Sequence, residues 1–301
     1  MMNRRTFLAS PALVAAAPAR SAVLLGGPIF LKSDDPAELA REHRRIGYSA
    51  AYCPAVKLED KERIAAIEKA FAAEKVVISE VGAWVNLMDP DPAKRGKNFE
   101  YVRDRLALAE LVGARCCVDI AGSYNDKVWY GPHPKNLSAE FFDATVETTR
   151  KLIDLVKPKR TKYTVEMMGW SIPDGPDSYV KLIRAVDRPA FGVHFDPCNV
   201  VNSPERFYRN GELISDCVRK LGRWLVSCHA KDLTWDVELN VHFREVIPGK
   251  GQMDYRVFLQ ELASLPSPVP LMLEHLKTAE EYTEGREYIR KVGGESGVQF
   301  A

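Results

Sequence analysis

Short apolar segments alternate with longer helical segments along almost the whole chain, and this alternation constrains the fold more than any other feature. Eight segments rich in β-branched and aliphatic residues predict strands, at residues 23–31, 49–53, 76–85, 115–121, 163–168, 190–196, 224–229 and 269–275. Helical periodicity follows each of them, at residues 36–47, 61–75, 99–113, 139–156, 177–186, 212–221, 255–265 and 279–292. Apolar strands joined through helices pair in parallel and are buried on both faces.

Eight strand–helix units predict an α/β fold, a (β/α)8 TIM barrel that forms a single domain over residues 23–301. The chain of 301 residues is long enough, since about 250 residues are typical of this fold. A doubly wound open sheet is the alternative. The sequence disfavours it, because no Gly-x-Gly-x-x-Gly follows an early strand and no Walker loop occurs.

The first 22 residues differ from the rest of the chain. Arg4 and Arg5 precede Thr6-Phe7-Leu8 and a mildly apolar run that ends at Ala22. This pattern predicts a twin-arginine export signal over residues 1–22, cleavage at Ala22 and a periplasmic location. The alternative is an uncleaved tail on a cytoplasmic protein. No run of 18 apolar residues occurs, so we expect no membrane insertion.

Charge and cysteine content disfavour two further classes of protein. The net charge is +1, which gives no general attraction for nucleic acid, and we expect no nucleic-acid partner. The six cysteines include no Cys-x-x-Cys pair, so we expect buried, reduced thiols and no zinc finger.

Four ionisable side chains close consecutive predicted strands in the second half of the chain. They are Glu166, Asp196, His229 and Glu274. In a barrel, the carboxyl ends of the strands meet at one face, where the chemistry takes place. An unpaired charge in an apolar strand costs several kcal/mol, and a shared cation would satisfy all four groups. Separate ion pairs with helix lysines and arginines are the alternative.

These residues predict one divalent metal ion as the cofactor. Three carboxylates and one imidazole form an oxygen-rich ligand set that suits Mn²⁺ best, with Mg²⁺, Co²⁺ or Zn²⁺ as alternatives.

The same residues and three local motifs resemble a known group of enzymes. The motifs are Asp196-Pro197-x-Asn199, His229-Ala230-Lys231-Asp232 and Pro248-Gly249-Lys250-Gly251-Gln252-Met253-Asp254. Residues 23–295 resemble the sugar phosphate isomerase/epimerase members of the xylose-isomerase-like TIM-barrel superfamily. The resemblance implies that a sugar is chelated beside the metal and that a C–H next to its carbonyl is deprotonated to an enediolate. By the same resemblance, Glu166 and Glu274 remove and return the proton.

Other residues are candidates for binding the sugar. The set of predicted substrate-binding residues is Trp129, Tyr130, His194, Asn199, Asp232 and Arg244. His133 lies with Trp129 and Tyr130 in a long loop after strand four and is a candidate catalytic base, although a proline-flanked histidine also caps turns. Lys231 and Asp232 either contact substrate or pair with each other. Glu80, Trp84, Asp119 and Trp170 also fall near strand ends.

The resulting functional hypothesis is a metal-dependent sugar isomerase or epimerase. Some ketose 3-epimerases carry a histidine three residues after the aspartate ligand and an arginine six after the histidine ligand, and this chain has Asn199 and Trp235 there. This departure favours the alternative, a lyase that eliminates the aglycone from 3-keto-glycosides or C-glycosides. A barrel endonuclease is disfavoured by the presence of only six histidines, and a non-catalytic sugar-binding barrel remains open. A small sugar or sugar derivative is the expected partner, and a homo-oligomer is possible.

Overall fold

The computed structural model describes residues 21–301 and shows a closed barrel of eight parallel strands, which confirms the predicted TIM barrel. The predicted export signal lies outside the described residues except for Ser21 and Ala22, and it stays a prediction. In chain order the barrel strands are β1 (Leu24–Gly26), β2 (Ala50–Tyr52), β3 (Val77–Gly82), β4 (Cys116–Asp119), β5 (Lys162–Glu166), β6 (Phe191–Phe195), β7 (Leu225–Ala230) and, after the two strands of a hairpin, β10 (Pro270–Leu273). Around the ring their order is β1-β10-β7-β6-β5-β4-β3-β2.

Helices surround the barrel and cover the outer face of the strands. They are α1 (Pro36–Arg45), α2 (Lys61–Ala73), α3 (Pro92–Val112), α4 (Ala139–Val156), α5 (Pro176–Val186), α6 (Pro204–Tyr208), α7 (Asn210–Leu221), α8 (Tyr255–Ser264) and α9 (Ala279–Glu295).

Helix α3 begins seven residues before the predicted start at residue 99. Asp91 caps it by accepting from the N–H groups of Ala93 and Lys94, and Pro92 occupies the first helical position. Its first two turns contain almost no apolar residues, and periodicity therefore did not reveal them.

Two further strands between β7 and α8 were not predicted. Strands β8 (Asp232–Trp235) and β9 (Phe243–Val246) pair antiparallel as a hairpin outside the barrel ring. The hairpin stands at the carboxyl end of β7, beside the catalytic face of this fold. Within residues 21–301, no helix is both long and apolar enough to cross a membrane.

The centre of the barrel is packed, and part of its filling is polar. Leu24, Ala50 and Met272 form a small buried apolar cluster inside the ring. The hydroxyls of Ser79 on β3 and Ser227 on β7 lie 2.8 Å apart, and both side chains are fully buried. Buried polar groups favour conformations in which they are paired, so hydrogen bonds of this kind help to hold the side chains beneath the site.

Candidate metal centre

The structure brings together the four ionisable side chains predicted from the sequence. Glu166 ends β5, Asp196 directly follows β6, His229 lies near the end of β7 and Glu274 directly follows β10. These four strands are consecutive in the barrel ring. One potential ligand atom from each residue lies within 4.8 Å of the corresponding atom of every other residue. They therefore form one compact cluster at the carboxyl face of the barrel.

His229 is at the centre of this cluster. Its Nδ1 lies 2.8 Å from Glu274 Oε1, 3.0 Å from Glu166 Oε1 and 3.7 Å from Asp196 Oδ2. The opposite ring nitrogen, Nε2, lies 3.3 Å from Glu80 Oε2. Carboxylates therefore face both nitrogens of one fully buried imidazole.

This arrangement fits a metal ion. A carboxylate oxygen only accepts hydrogen bonds, so Nε2 carries the proton donated to Glu80. Nδ1 then either carries a second proton or shares a cation with the three carboxylates. A divalent cation would neutralise more of the buried negative charge than one proton, and three oxygens with one imidazole nitrogen are a ligand set found for divalent metals. Glu166, Asp196, His229 and Glu274 are the residues that would hold it.

The pKa values of the three carboxylates shift in different directions. Burial raises the pKa of Glu166 above its usual value. Burial also acts to raise the pKa of Glu274, but His229 and Lys231 outweigh it and lower this pKa to about 2. The pKa of Asp196 is likewise held below its usual range, because Lys231 and His229 outweigh its burial. Asp196 and Glu274 are thus held as anions, the form in which a carboxylate binds a cation.

Glu80 contacts His229 at Nε2, the ring nitrogen that points away from the other three carboxylates. It lies on β3, opposite β7 in the ring, and its side chain is 1% exposed. Its Oε1 lies 3.0 Å from His194 Nε2 and accepts a hydrogen bond from Ser227, while its Oε2 faces His229. A carboxylate that accepts from a ligand histidine fixes both the tautomer and the ring orientation. The sequence placed Glu80 near a strand end but did not reveal this contact.

A lysine and an asparagine complete the cluster. Lys231 Nζ lies 2.7 Å from Asp196 Oδ2 and 3.0 Å from Glu274 Oε1. Asn199 bridges the two sides, since its Nδ2 donates to Glu166 Oε1 and its Oδ1 accepts from Lys231, both at 3.0 Å. Asn199 thus holds two polar groups of the cluster in place, and it also lines the cavity above them.

A cavity of about 720 Å³ opens above the cluster. Its floor is formed by Glu166, Asn199, Lys231 and Glu274. Aromatic and apolar side chains form most of its wall, namely Pro28, Tyr52, Trp84, Ile120, Trp129, Tyr130, Met168 and Tyr282. Trp129 and Tyr130 therefore stand where the sequence predicted substrate contacts.

The loop that carries Trp129 and Tyr130 is held by an internal polar network. Buried Asn136 donates to the carbonyl oxygens of Gly131 and Trp170, both at 3.1 Å, and Ser123 donates to the same Gly131 carbonyl at 2.7 Å. A loop with these bonds presents its aromatic side chains in a defined position.

Two predicted site residues lie away from the cavity. His133 does not line it; its Nδ1 accepts a hydrogen bond from the N–H of Lys135 and its ring packs edge-on against Tyr124, contacts that match the turn-capping alternative. His194 is fully buried beneath the cluster against Glu80, which gives it a supporting position instead of contact with a sugar.

Asp232 and Arg244 are two further predicted substrate-binding residues, and neither lines the cavity above the cluster. Buried Asp232 does not pair with Lys231 but accepts from four backbone N–H groups, those of Leu233, Gly249, Gly251 and Met253. These bonds anchor the loop before α8. Arg244 lines a neighbouring cavity of about 450 Å³ and forms an ion pair with Asp236 of the same hairpin.

Comparison with known proteins places the chain in a family. Residues 40–292 match the family described as xylose isomerase-like TIM barrel, which is most of the 301-residue chain. A comparison with curated protein sequences finds no match.

Solved structures show the same fold at low sequence identity. The apo 3-keto-D-glucoside 4-epimerase from E. coli is 12% identical, with a TM-score of 0.63 over 89% of this chain and 99% of its own. A xylose isomerase-like TIM barrel protein from Mycobacterium smegmatis, in complex with magnesium, is 20% identical, with a TM-score of 0.60 over 86% of this chain and 88% of its own. Endonuclease IV from Thermus thermophilus is 16% identical, with a TM-score of 0.63 over 90% of this chain and 98% of its own.

Proposed function

The chain belongs to the family of xylose isomerase-like TIM barrels, and on that premise we propose that it is a metal-dependent sugar isomerase or epimerase. The observation that supports this most is that the carboxylates of Glu166 and Glu274 both lie within 3.0 Å of His229 Nδ1 and line the cavity above the cluster. Manganese is the ion we propose, held by Glu166, Asp196, His229 and Glu274, with Mg²⁺, Co²⁺ or Zn²⁺ as alternatives. When bound, the ion would polarise the sugar carbonyl and make the adjacent C–H more acidic.

The two glutamates perform the proton transfers in this proposal. One carboxylate removes a proton from the carbon beside the carbonyl, and the C–H electron pair moves onto the carbonyl oxygen to give an enediolate. The other glutamate is protonated at the outset and gives its proton to the opposite face of that carbon, which inverts it. In an isomerisation the proton goes instead to the former carbonyl carbon, and a proton passes from the neighbouring hydroxyl to the former carbonyl oxygen. Asn199 orients Glu166, and the aromatic wall above excludes water from the reacting carbon.

Deuterium exchange tests this proposal directly. We would incubate metal-loaded protein with a panel of ketoses and 3-keto-glucosides in heavy water and follow isotope incorporation by mass spectrometry. Exchange by the wild type, and its loss in Glu166→Gln and Glu274→Gln proteins that fold, is the expected result. Glu68→Gln, in an exposed ion pair with Arg160, is the matched control. Absence of exchange with every sugar by metal-loaded wild type would contradict the proposal.

A lyase is the second candidate, and the cavity favours it. At about 720 Å³, the cavity falls within the range of roughly 300–1,000 Å³ that is typical of sites for drug-sized ligands. Trp84, Trp129 and Tyr130 offer apolar surface beyond the ion cluster for a substituent on the sugar. In this alternative, the same enediolate expels the aglycone of a 3-keto-glycoside or C-glycoside. Product analysis separates the two, because elimination releases the aglycone and epimerisation conserves the mass of the substrate.

A nucleic-acid substrate is less consistent with the chain, although endonuclease IV shares the fold. The net charge is only +1, and the cavity above the cluster is largely apolar. A small sugar derivative fits these features better.

We also propose that the protein is exported through the twin-arginine pathway. The support is the Arg4-Arg5-Thr6-Phe7-Leu8 sequence alone. Cell fractionation tests it: the wild type should reach the periplasm, and the double variant Arg4→Lys, Arg5→Lys should remain in the cytoplasm. Equal distribution of both proteins would contradict export by this route.

A further inference from the structure

Lys231 is a buried cation in direct contact with the candidate metal ligands. It directly follows β7, two residues after His229, and its side chain is 2% exposed. Besides Asp196 and Glu274, its ammonium meets Asn199 Oδ1 at 3.0 Å and Glu245 Oε1 at 3.4 Å. Within residues 21–301, no other lysine or arginine forms an ion pair with Glu166, Asp196 or Glu274.

Lys231 borders two cavities although its side chain is buried. Lys231 lines both the 720 Å³ cavity and the neighbouring cavity of about 450 Å³, and the two cavities share Glu245, Glu274 and His275 as well. Asn199 and Glu245, which also line the larger cavity, contact the ammonium as well. A substrate that reaches the ion cluster would therefore pass directly beside it.

Charge balance gives this position a chemical consequence. The total charge of the site does not change during the proposed proton removal, but one negative charge moves from a ligand carboxylate onto a substrate oxygen. Buried charge that has no partner is costly, so a fixed cation beside that oxygen lowers the barrier. Lys231 already contacts Glu274, one of the two proposed bases. When Glu274 takes the proton, its attraction for the ammonium weakens, and the freed N–H can turn to the oxygen that gains the electron pair.

We propose that Lys231 is a catalytic residue whose ammonium donates a hydrogen bond to the substrate oxygen that becomes negatively charged. The assignment rests on the proposed function and deepens it. Lys231 acts by binding the enediolate more strongly than the neutral sugar, which is the condition for lowering a barrier.

Differential binding of two probes to manganese-loaded protein tests the assignment. D-Threonohydroxamate is an anionic mimic of an enediolate, and threitol is a neutral polyol of the same length. By calorimetry, Lys231→Met should weaken hydroxamate binding by about 10- to 100-fold, the range expected for one hydrogen bond to a charged group, and change threitol binding little. Lys250→Met is the matched control, because Lys250 lines the neighbouring cavity but not the one above the cluster, and its ammonium pairs with Glu284.

Two further measurements show whether a loss of binding in Lys231→Met comes from misfolding. Metal content and near-ultraviolet circular dichroism report whether Lys231→Met folds; if it does not, Lys231→Gln, which keeps a neutral donor, should show the same selective loss. Equal loss for both probes, or hydroxamate binding as tight as in the wild type, would overturn the role of Lys231 alone. If manganese-loaded wild type binds no hydroxamate, the proposed function fails and this assignment with it.

Discussion

Replacement of Glu80 by Gln should weaken metal binding although Glu80 is not one of the four candidate ligands. The carboxylate accepts hydrogen bonds from His194 and Ser227 on Oε1, and it faces His229 Nε2 with Oε2. An amide has one oxygen and one NH₂ group. Its oxygen best replaces Oε1, where two donors converge, so its NH₂ group would face His229.

That exchange changes the tautomer of His229. With a donor opposite Nε2, the imidazole proton moves to Nδ1, the nitrogen that faces Glu166, Asp196 and Glu274. Nδ1 then has no lone pair for a metal ion. Loss of such an orienting partner costs about 10- to 100-fold in metal affinity, equivalent to about 1.4–2.7 kcal/mol.

Calorimetric titration with Mn²⁺ measures this effect, and ¹⁵N chemical shifts of the histidines report the tautomer. Urea unfolding in EDTA serves as the fold control. The substitution should change the free energy of unfolding of the metal-free protein much less than it changes the free energy of metal binding. Glu68→Gln on the surface provides a matched substitution. Manganese affinity within two-fold of the wild type in Glu80→Gln would refute the proposed orientation of His229.

Three further predictions concern residues around the cluster. His133→Ala should leave metal content and turnover unchanged, because the ring lies outside the cavity, and should lower the free energy of unfolding by about 1 kcal/mol, because the ring packs edge-on against Tyr124 and accepts from the N–H of Lys135; a large loss of turnover would support His133 as a base. Asp232→Ala should destabilise the protein by about 2–4 kcal/mol in urea, since four backbone N–H groups lose their acceptor, and an unchanged midpoint would contradict this. Acidification in EDTA should destabilise the protein as pH falls from 4.5 toward 2, because the pKa of Glu274 is lowered from 4.5 to about 2 and its stabilising contribution is lost over that interval. In Glu274→Gln the free energy of unfolding should fall less steeply with pH over the same interval. Equal slopes in the variant and the wild type would exclude Glu274 as the cause of the acid destabilisation.

The fold and the four-residue cluster could be predicted because both depend on repeated local patterns. Apolar strands at regular intervals specify the barrel, and barrel geometry makes side chains at neighbouring strand ends meet. Glu166, Asp196, His229 and Glu274 occupy those ends, so their proximity followed from the strand assignments.

Contacts across the barrel could not be predicted in the same way. Glu80 and His229 are separated by 149 positions and lie on opposite strands, and nothing in either local sequence indicates their contact. Lys231 was expected to contact substrate or pair with the adjacent Asp232. The hairpin determines the actual partners: Asp232 turns to the backbone of the following loop, and Glu245 on β9 comes within 3.4 Å of Lys231. Short strands outside the ring give too weak a periodic signal to be recognised.

Metal content of the purified protein tests the central claim most directly. After loading with Mn²⁺ and dialysis, elemental analysis should find one ion per chain in the wild type and in Glu68→Gln. Folded Asp196→Ala and His229→Ala proteins should each retain almost none. Full occupancy in both variants would contradict the assigned centre.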